Sequence, residues 1–159
     1  MSNSILKNSY NIGKVYAEYA DSCGGIVAES TTNIIENTYN AGEIAVKIEE
    51  YTEGIGGCVG KGYDVIINNG YNIGNIREGN ELIGKIYDNI TLNKVYYKQS
   101  DIDPIGSGTP QGEAPIGTTL SQMKSQSFVD TLNKYITDNA REDLVKWKMG
   151  PNGYPTLDI

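Results

Sequence analysis

One stretch occurs three times in this chain, so the fold must give its copies equivalent places. Residues 4–15, 33–44 and 65–76 align on Tyr10, Tyr39 and Tyr71. The spacings are 29 residues from Tyr10 to Tyr39 and 32 from Tyr39 to Tyr71. Repetition at such periods is the mark of a solenoid, propeller or array. A fourth, eroded copy runs from Asn89 to Tyr96, keeping the apolar start and the tyrosine but losing the Asn-any-Gly run.

Each column of the alignment has its own chemistry. Four residues before the tyrosine stand Leu6, Ile35, Ile67 and Leu92, an apolar column. Three before it come Lys7, Glu36, Asn68 and Asn93, expected to face water. Two before it come Asn8, Asn37 and Asn69, with Lys94 in the eroded copy. Side chains alternate faces along a strand. With Lys7 and Glu36 outward, the apolar, asparagine and tyrosine columns are all expected to point inward. Stacked asparagines then require an amide ladder along the axis.

After the tyrosine come Asn11, Asn40 and Asn72, and two residues later Gly13, Gly42 and Gly74. Asn and Gly accept positive φ, so a corner is expected here. Val15, Ile44 and Ile76 follow as inward anchors of the next face. A second motif, Gly24-Gly25-Ile26-Val27-Ala28, matches Gly56-Gly57-Cys58-Val59-Gly60 and, more weakly, Leu82-Ile83-Gly84. Small residues let backbone pass close to backbone. Glu29, Lys61 and Lys85 come next and are expected in solvent. Length varies between the motifs at residues 16–21, 45–53 and 77–81, which predicts loops bulging from one edge.

The fold class expected is therefore all-β: a parallel β-solenoid (β-helix) of about three and a half coils over residues 1–98. No coil is stable alone, and about three or more are needed. The composition agrees, with 19 Gly, one Phe, one Trp and 38% apolar residues. The two cysteines fall in different columns, Cys23 with Ile55 and Cys58 with Ile26. Their separation of about 10 Å precludes a disulfide, and two buried thiols are expected.

Residues 99–118 break the repeat with Pro104, Gly106, Gly108, Pro110 and Gly112, predicting a loop that is mobile or draped over the last coil. Residues 119–159 read as an α+β cap. Phe128, Leu132 and Ile136, with Val129 and Tyr135, form a helical apolar stripe; Ser127 is the expected N-cap and Asp130 a first-turn acid. Residues 143–149 alternate like a strand, and Pro151-Asn152-Gly153 makes a turn. Trp147 and Tyr154 would serve either as a sugar-stacking platform or as packing over the open end of the solenoid, and packing is the reading taken. No such cap stands at the N-terminus, so further coils or another domain are expected before residue 1.

The repeat resembles the GLUG repeat over roughly residues 4–98. Gly25-Ile26-Val27-Ala28 and Gly57-Cys58-Val59-Gly60 stand at the family core, and the Tyr-Asn-any-Gly-any-Ile/Val run forms its second half. Ala28 for the final Gly and Glu81 for the leading one are departures. Met123, Ser127-Phe128, Leu132-Asn133, Trp147 and Gly153-Tyr154-Pro155-Thr156-Leu157 are similar to endings found after such arrays. The resemblance implies a secreted or cell-surface bacterial protein, adhesin-like, or a non-catalytic region of a large secreted peptidase.

The chemistry absent from the sequence is as informative. With no His, the Ser-His-Asp, Cys-His and H-E-x-x-H systems cannot be assembled. No phosphate-cradling loop is present, and no apolar run reaches the roughly 18 residues of a membrane span. A net charge of −7 argues against nucleic acid and anionic membrane as partners. Acids lie mainly in the variable loops: Glu18, Asp21, Glu49, Glu50, Glu53, Glu78 and Glu81. They are expected to be solvated. Asp101-Ile102-Asp103 lacks the rest of a calcium loop. No catalytic, cofactor-binding or metal-ligating residue is nominated. The expected function is a non-catalytic spacer or adhesive surface for a host protein or glycan. The alternative is a glycan-active β-helix using loop carboxylates such as Glu81 or Asp101. An aromatic or polar groove along the acidic loop edge is the expected sign of a binder.

Overall fold

The computed structural model describes residues 1–47 and 52–159 and shows a parallel β-solenoid of about three turns with a shortened closing rung and a small helix–strand cap. The first turn carries β1 (Ile5–Asn11), β2 (Val15–Ala17) and β3 (Ser22–Gly24). The second carries β4 (Val27–Asn40), β5 (Ile44–Val46) and β6 (Gly54–Gly56). The third carries β7 (Val59–Asn72), and the fourth rung carries β8 (Ile83–Ile86) and β9 (Ile90–Lys98), which pair the two halves of β7. All pairings between turns are parallel, and the register follows the sequence repeat: Tyr10 pairs Tyr39, Tyr39 pairs Tyr71, and Tyr71 pairs Tyr96. The tyrosine rings stack at 5.1 Å in both steps from Tyr10 to Tyr71.

The long strands β4 and β7 are bent twice. Thr32 and Asp64 lie at φ 54° and 51°, in register with Asn3 at 47°. Asn8, Asn37, Asn69 and Lys94 lie at φ 49–55°. Asparagine tolerates this left-handed conformation because its short amide bonds locally. Each bend starts a new flat face without breaking the strand ladder.

The second bend also corrects the expected facing. A left-handed residue interrupts the alternation, so the column at −3 and the asparagine at −2 both point outward, the next residue points inward, and the tyrosine points outward. Ile35, Ile67, Leu92 and Val95 thus fill the coil interior, while Tyr39, Tyr71 and Tyr96 pack outside it against the C-terminal tail. The amide ladder exists as expected, with Asn37 Nδ2 donating to Asn8 Oδ1 and Asn69 Nδ2 to Asn37 Oδ1, both at 2.8 Å, but it runs outside the coil. Glu36, expected in water, is fully buried beneath the tail.

A second, inner ladder follows the tyrosines. Asn11 Nδ2 donates to Asn40 Oδ1 at 2.9 Å, and Asn40 Nδ2 to Asn72 Oδ1 at 2.8 Å. These asparagines also bind the N–H groups of Gly13, Gly42 and Gly74, closing the corner. The corner's glycines are there for space, not for positive φ: a Cβ on Gly42 would lie 2.0 Å from the Gly13 carbonyl oxygen, and one on Gly74 2.2 Å from that of Gly42. Ile44 and Ile76 anchor the following face with Cys23 and Ile55. Both thiols are free and buried, in separate clusters; burial, reinforced by Glu81, pushes Cys58 up to about 12.

The segment 99–118 is draped over the last coil and extends it. β10 (Ile105–Ser107) pairs β8, while β11 (Gln111–Gly112) and β12 (Ile116–Thr118) pair β9. Pro and Gly hid this rung from pattern reading because its pairing is set by backbone alone. The tail follows as α1 (Leu120–Met123), α2 (Gln126–Asp138), β13 (Trp147–Met149) and β14 (Pro155–Leu157). Thr119 and Gln122 form a capping box. Ser125, not Ser127, caps α2, accepting from Phe128 N–H; Asp130 consequently lies beyond the first turn. β13 and β14 make an antiparallel hairpin. The tail lies along the flank and not over the open end. It touches the first rung through Asn8, the second through Asn37, the third through Tyr71 and the fourth through Tyr96.

The outer ladder ends badly. Lys94 occupies the next asparagine position, and Asn69 Oδ1 is buried without a hydrogen-bond donor. Replacing Lys94 with Asn supplies that donor and suits the left-handed backbone, so the folded state gains about 1 kcal/mol. Urea unfolding of Lys94→Asn beside the parent checks this; an unchanged or lower midpoint would contradict the ladder's directionality.

Candidate functional site

The packing of the tail leaves a groove along the tyrosine column. Its floor is the next outward column, Ile12, Ala41 and Ile73, of which Ile12 is exposed and the other two are partly buried. One wall is formed by Tyr10, Tyr39 and Tyr71, and the lip by the hairpin from Gly150 to Thr156, including Tyr154. The cavity holds about 200 Å³, below the 300 Å³ or more of a pocket that engulfs a drug-sized ligand. It suits one sugar ring or one side chain at a time. The Tyr39 hydroxyl bonds Thr156 Oγ1 at 2.9 Å, and the Tyr71 hydroxyl donates to the Pro155 carbonyl. Tyr10, half open at the mouth, has one ring face against Tyr39 and one free. The lining carries aromatic and aliphatic faces, hydroxyls and the Asn152 amide. It contains no carboxylate, amine or thiol. Such a surface can bind by stacking and hydrogen bonding, but it has no group to transfer a proton near neutrality.

Trp147 packs against the solenoid, but on its flank and not over the open end expected of it. It is buried, its ring lies 5.7 Å from Tyr39 and 5.6 Å from Tyr71, and its Nε1–H donates to Asn37 Oδ1 at 2.6 Å. Tyr154, in contrast, stays partly open at the groove lip with Lys124 Nζ 4.9 Å from its ring centre. The sequence conceals the groove, because simple strand alternation sends the tyrosines to the interior. The bend at Asn8, Asn37 and Asn69 was the available signal.

The acidic loop edge holds aromatics but no described groove. Tyr63 and Tyr87 stack at 4.7 Å. Lys61, expected in solvent, is buried, with Nζ 2.7 Å from Asp21 Oδ2 and 3.2 Å from Glu53 Oε2. Burial alone would lower the lysine's pKa; the two carboxylate hydrogen bonds outweigh it and hold the ammonium above the ordinary range. Glu53 is pulled down to about 2, first by the Tyr87 hydroxyl and then by Lys61. Asp21 and Glu53 are thus close together, but a cation separates them, and Glu53 is held below the range of a general acid. Glu18 lies 4.0 Å from Lys47 Nζ, Glu78 is exposed, and Glu49 and Glu50 lie outside the described residues. Asp101 is exposed, and the backbone carbonyl of Asp103 accepts from Glu81 N–H and from Asn80 Nδ2. Among the described residues no group of three or more acids, Cys or His is placed to hold a metal ion. Among them also, no helix is long and apolar enough to cross a membrane.

Glu81 departs most from expectation. Instead of lying in solvent it is wholly buried and terminates the inner ladder, accepting from Asn72 Nδ2 at 2.9 Å and Ser100 Oγ at 2.8 Å, with Lys98 Nζ at 3.8 Å. Among the described residues, Glu36 is the other buried acid. Arg141, Tyr135 and Asn68 all donate to its Oε1, while Oε2 has no partner. Arg141 also grips Asp143, which Lys7 of the first rung reaches at 2.9 Å.

No family model matches this chain, and no curated protein or solved structure does so either.

Two measurements check this account. Arg141→Met strips the buried Glu36 of its cation. The loss is roughly 2–3 kcal/mol, less than the 3–5 of a sealed pair because the arginine is about one-third exposed; chemical denaturation reads it directly. Burial raises the Glu81 pKa above its ordinary 4.5. The folded state therefore binds that proton more tightly than the unfolded state. Its stabilising contribution is complete below the unfolded pKa and declines as pH rises through the folded one. Unfolding free energies taken from pH 4 to 8 should show this decline in the parent and lose it in Glu81→Gln.

Proposed function

We propose that this chain is a non-catalytic binding module: a stiff β-solenoid whose tyrosine-lined groove attaches a host glycan or protein segment. The observation that carries this reading is the groove's lining, which offers stacking faces, hydroxyls and an amide without a reactive group. The inert remainder supports it. The buried acids are ladder ends or ion-pair members, the loop acids that lie together are clamped on Lys61, and burial makes Cys58 a poor nucleophile. On this proposal the module belongs to a secreted or cell-surface bacterial protein, a reading supported by the resemblance of residues 4–98 to the GLUG repeat. It serves there as spacer and adhesive surface, or as the accessory part of a larger secreted peptidase.

The test is a glycan array and a panel of extracellular-matrix proteins probed with the parent chain and with a Tyr154→Ala, Asn152→Ala double variant. The expected outcome is retention of a defined ligand by the parent and a loss of about tenfold or more in the variant, the size expected when an aromatic anchor is truncated. The variant's thermal midpoint should stay within about 5 °C of the parent's, a shift near 1 kcal/mol. Retention of the same ligand at equal strength by the variant would remove the groove from the proposal. Hydrolysis of a polysaccharide by the parent would remove the non-catalytic reading.

A further inference from the structure

The first rung of the solenoid is unlike the others. β1, β2 and β3 each end their sheets, paired on one side only. Among the described residues, exposed large apolar side chains gather here: Met1, Ile5, Tyr10, Ile12, Tyr16 and Tyr19. An exposed strand edge beside an apolar patch is a template for another strand. The opposite end is blunted, since its closing rung includes Pro104, Pro110 and Pro115, which have no N–H to offer.

Three details of the edge specify what would fit it. First, the inner ladder is directional. Asn40 Oδ1 and Asn72 Oδ1 each accept two N–H groups, one from a glycine and one from the asparagine of the preceding rung. Asn11 Oδ1 accepts only from Gly13 N–H, so its ladder position calls for a donor. Second, the outer ladder runs in the opposite sense. Asn8 Nδ2 gives one hydrogen to the Asp143 carbonyl and keeps one, where Asn37 uses both, so an acceptor is called for. Third, Gly13 has no steric need to be glycine. Its Cβ would meet nothing closer than Asn11 Oδ1 at 3.7 Å, and its φ is not in the left-handed range. Gly42 and Gly74 need to be glycine because the preceding rung's carbonyl lies where a Cβ would go.

We infer that the first rung is a docking edge for an extended segment, added parallel and in register and bearing the repeat's own columns, Asn-any-Tyr-Asn-any-Gly. Its inner asparagine donates to Asn11, its outer asparagine accepts from Asn8, its tyrosine stacks on the free face of Tyr10, and its glycine carbonyl sits over Gly13. A second copy of this chain does not meet the specification. Head to head, a two-fold axis sets acceptor against acceptor at Asn11 and donor against donor at Asn8. Head to tail, the Pro-rich closing rung carries neither the asparagine nor the tyrosine column. The mode is strand addition, in which backbone bonds supply affinity and alternate side chains supply specificity.

The probe is a synthetic peptide with the sequence of residues 25–46, which spans β4 and β5, mixed with the intact chain. Hydrogen exchange of β1 and β2 amides and sedimentation are the readouts. Equimolar binding with about tenfold or greater slowing of exchange in both strands, absent with a scrambled peptide, is the expected result. Gly13→Val fills empty space, so it leaves the fold's own exchange pattern intact and abolishes the peptide's effect. Tyr154→Ala, at the groove lip, leaves the peptide's effect in place, which separates this inference from the groove. The inference is overturned if about 1 mM peptide leaves the edge unprotected, if scrambled peptide protects equally, if Gly13→Val still docks, or if the chain alone self-associates through the first rung.

Discussion

Everything distinctive in this structure depends on a left-handed residue two places ahead of each tyrosine. An unbroken strand would send the apolar column, the asparagines and the tyrosines to one side. The bend at Asn8, Asn37, Asn69 and Lys94 shifts the phase instead. The coil interior thereby keeps only compact side chains such as Ile35, Ile67 and Val95, and the tyrosines form an external ridge. Twelve tyrosines and a single phenylalanine then make sense. A ridge half covered by the tail needs rings that pack on one side and bond polar groups at the tip, as Tyr39 and Tyr71 do.

The two amide ladders solve the problem of crowding polar backbone corners into a narrow coil. Each inner asparagine bonds the corner glycine two residues on and the next asparagine along the axis. Their opposite polarity decides what each can tolerate at its end. The inner ladder ends on donors, so a carboxylate, Glu81, can close it with Ser100 and Lys98 nearby. The outer ladder ends on an acceptor, and Lys94 leaves it unsatisfied.

The repeat made the solenoid and its register legible from residues alone, since a period with aligned columns has few physical solutions. Tyr10, Tyr39 and Tyr71 lie where the alignment put them. The facing of those columns was not legible, because alternation assumes extended backbone and asparagine is read as a polar residue before it is read as a bend. The closing rung was hidden for a related reason: residues 105–118 pair through backbone groups, and their Pro and Gly content reads as irregular. The burial of Glu36, Lys61 and Glu81 was beyond reach too, since each is fixed by partners distant in sequence, Arg141, Asp21 and Ser100. The groove depends on both the facing and the tail's course along the flank, so it emerged only from coordinates.

The course of the tail has a consequence for how the molecule assembles. A bare solenoid holds only nearest neighbours together, so its turns can fray or add one at a time. Here Asp143 reaches Lys7 and Arg141 reaches Glu36, across separations of 136 and 105 residues. The last quarter of the chain works like the strap of a bound stack. Those fastenings need the C-terminal residues in place, so the tail couples turns that neighbour contacts alone would leave independent.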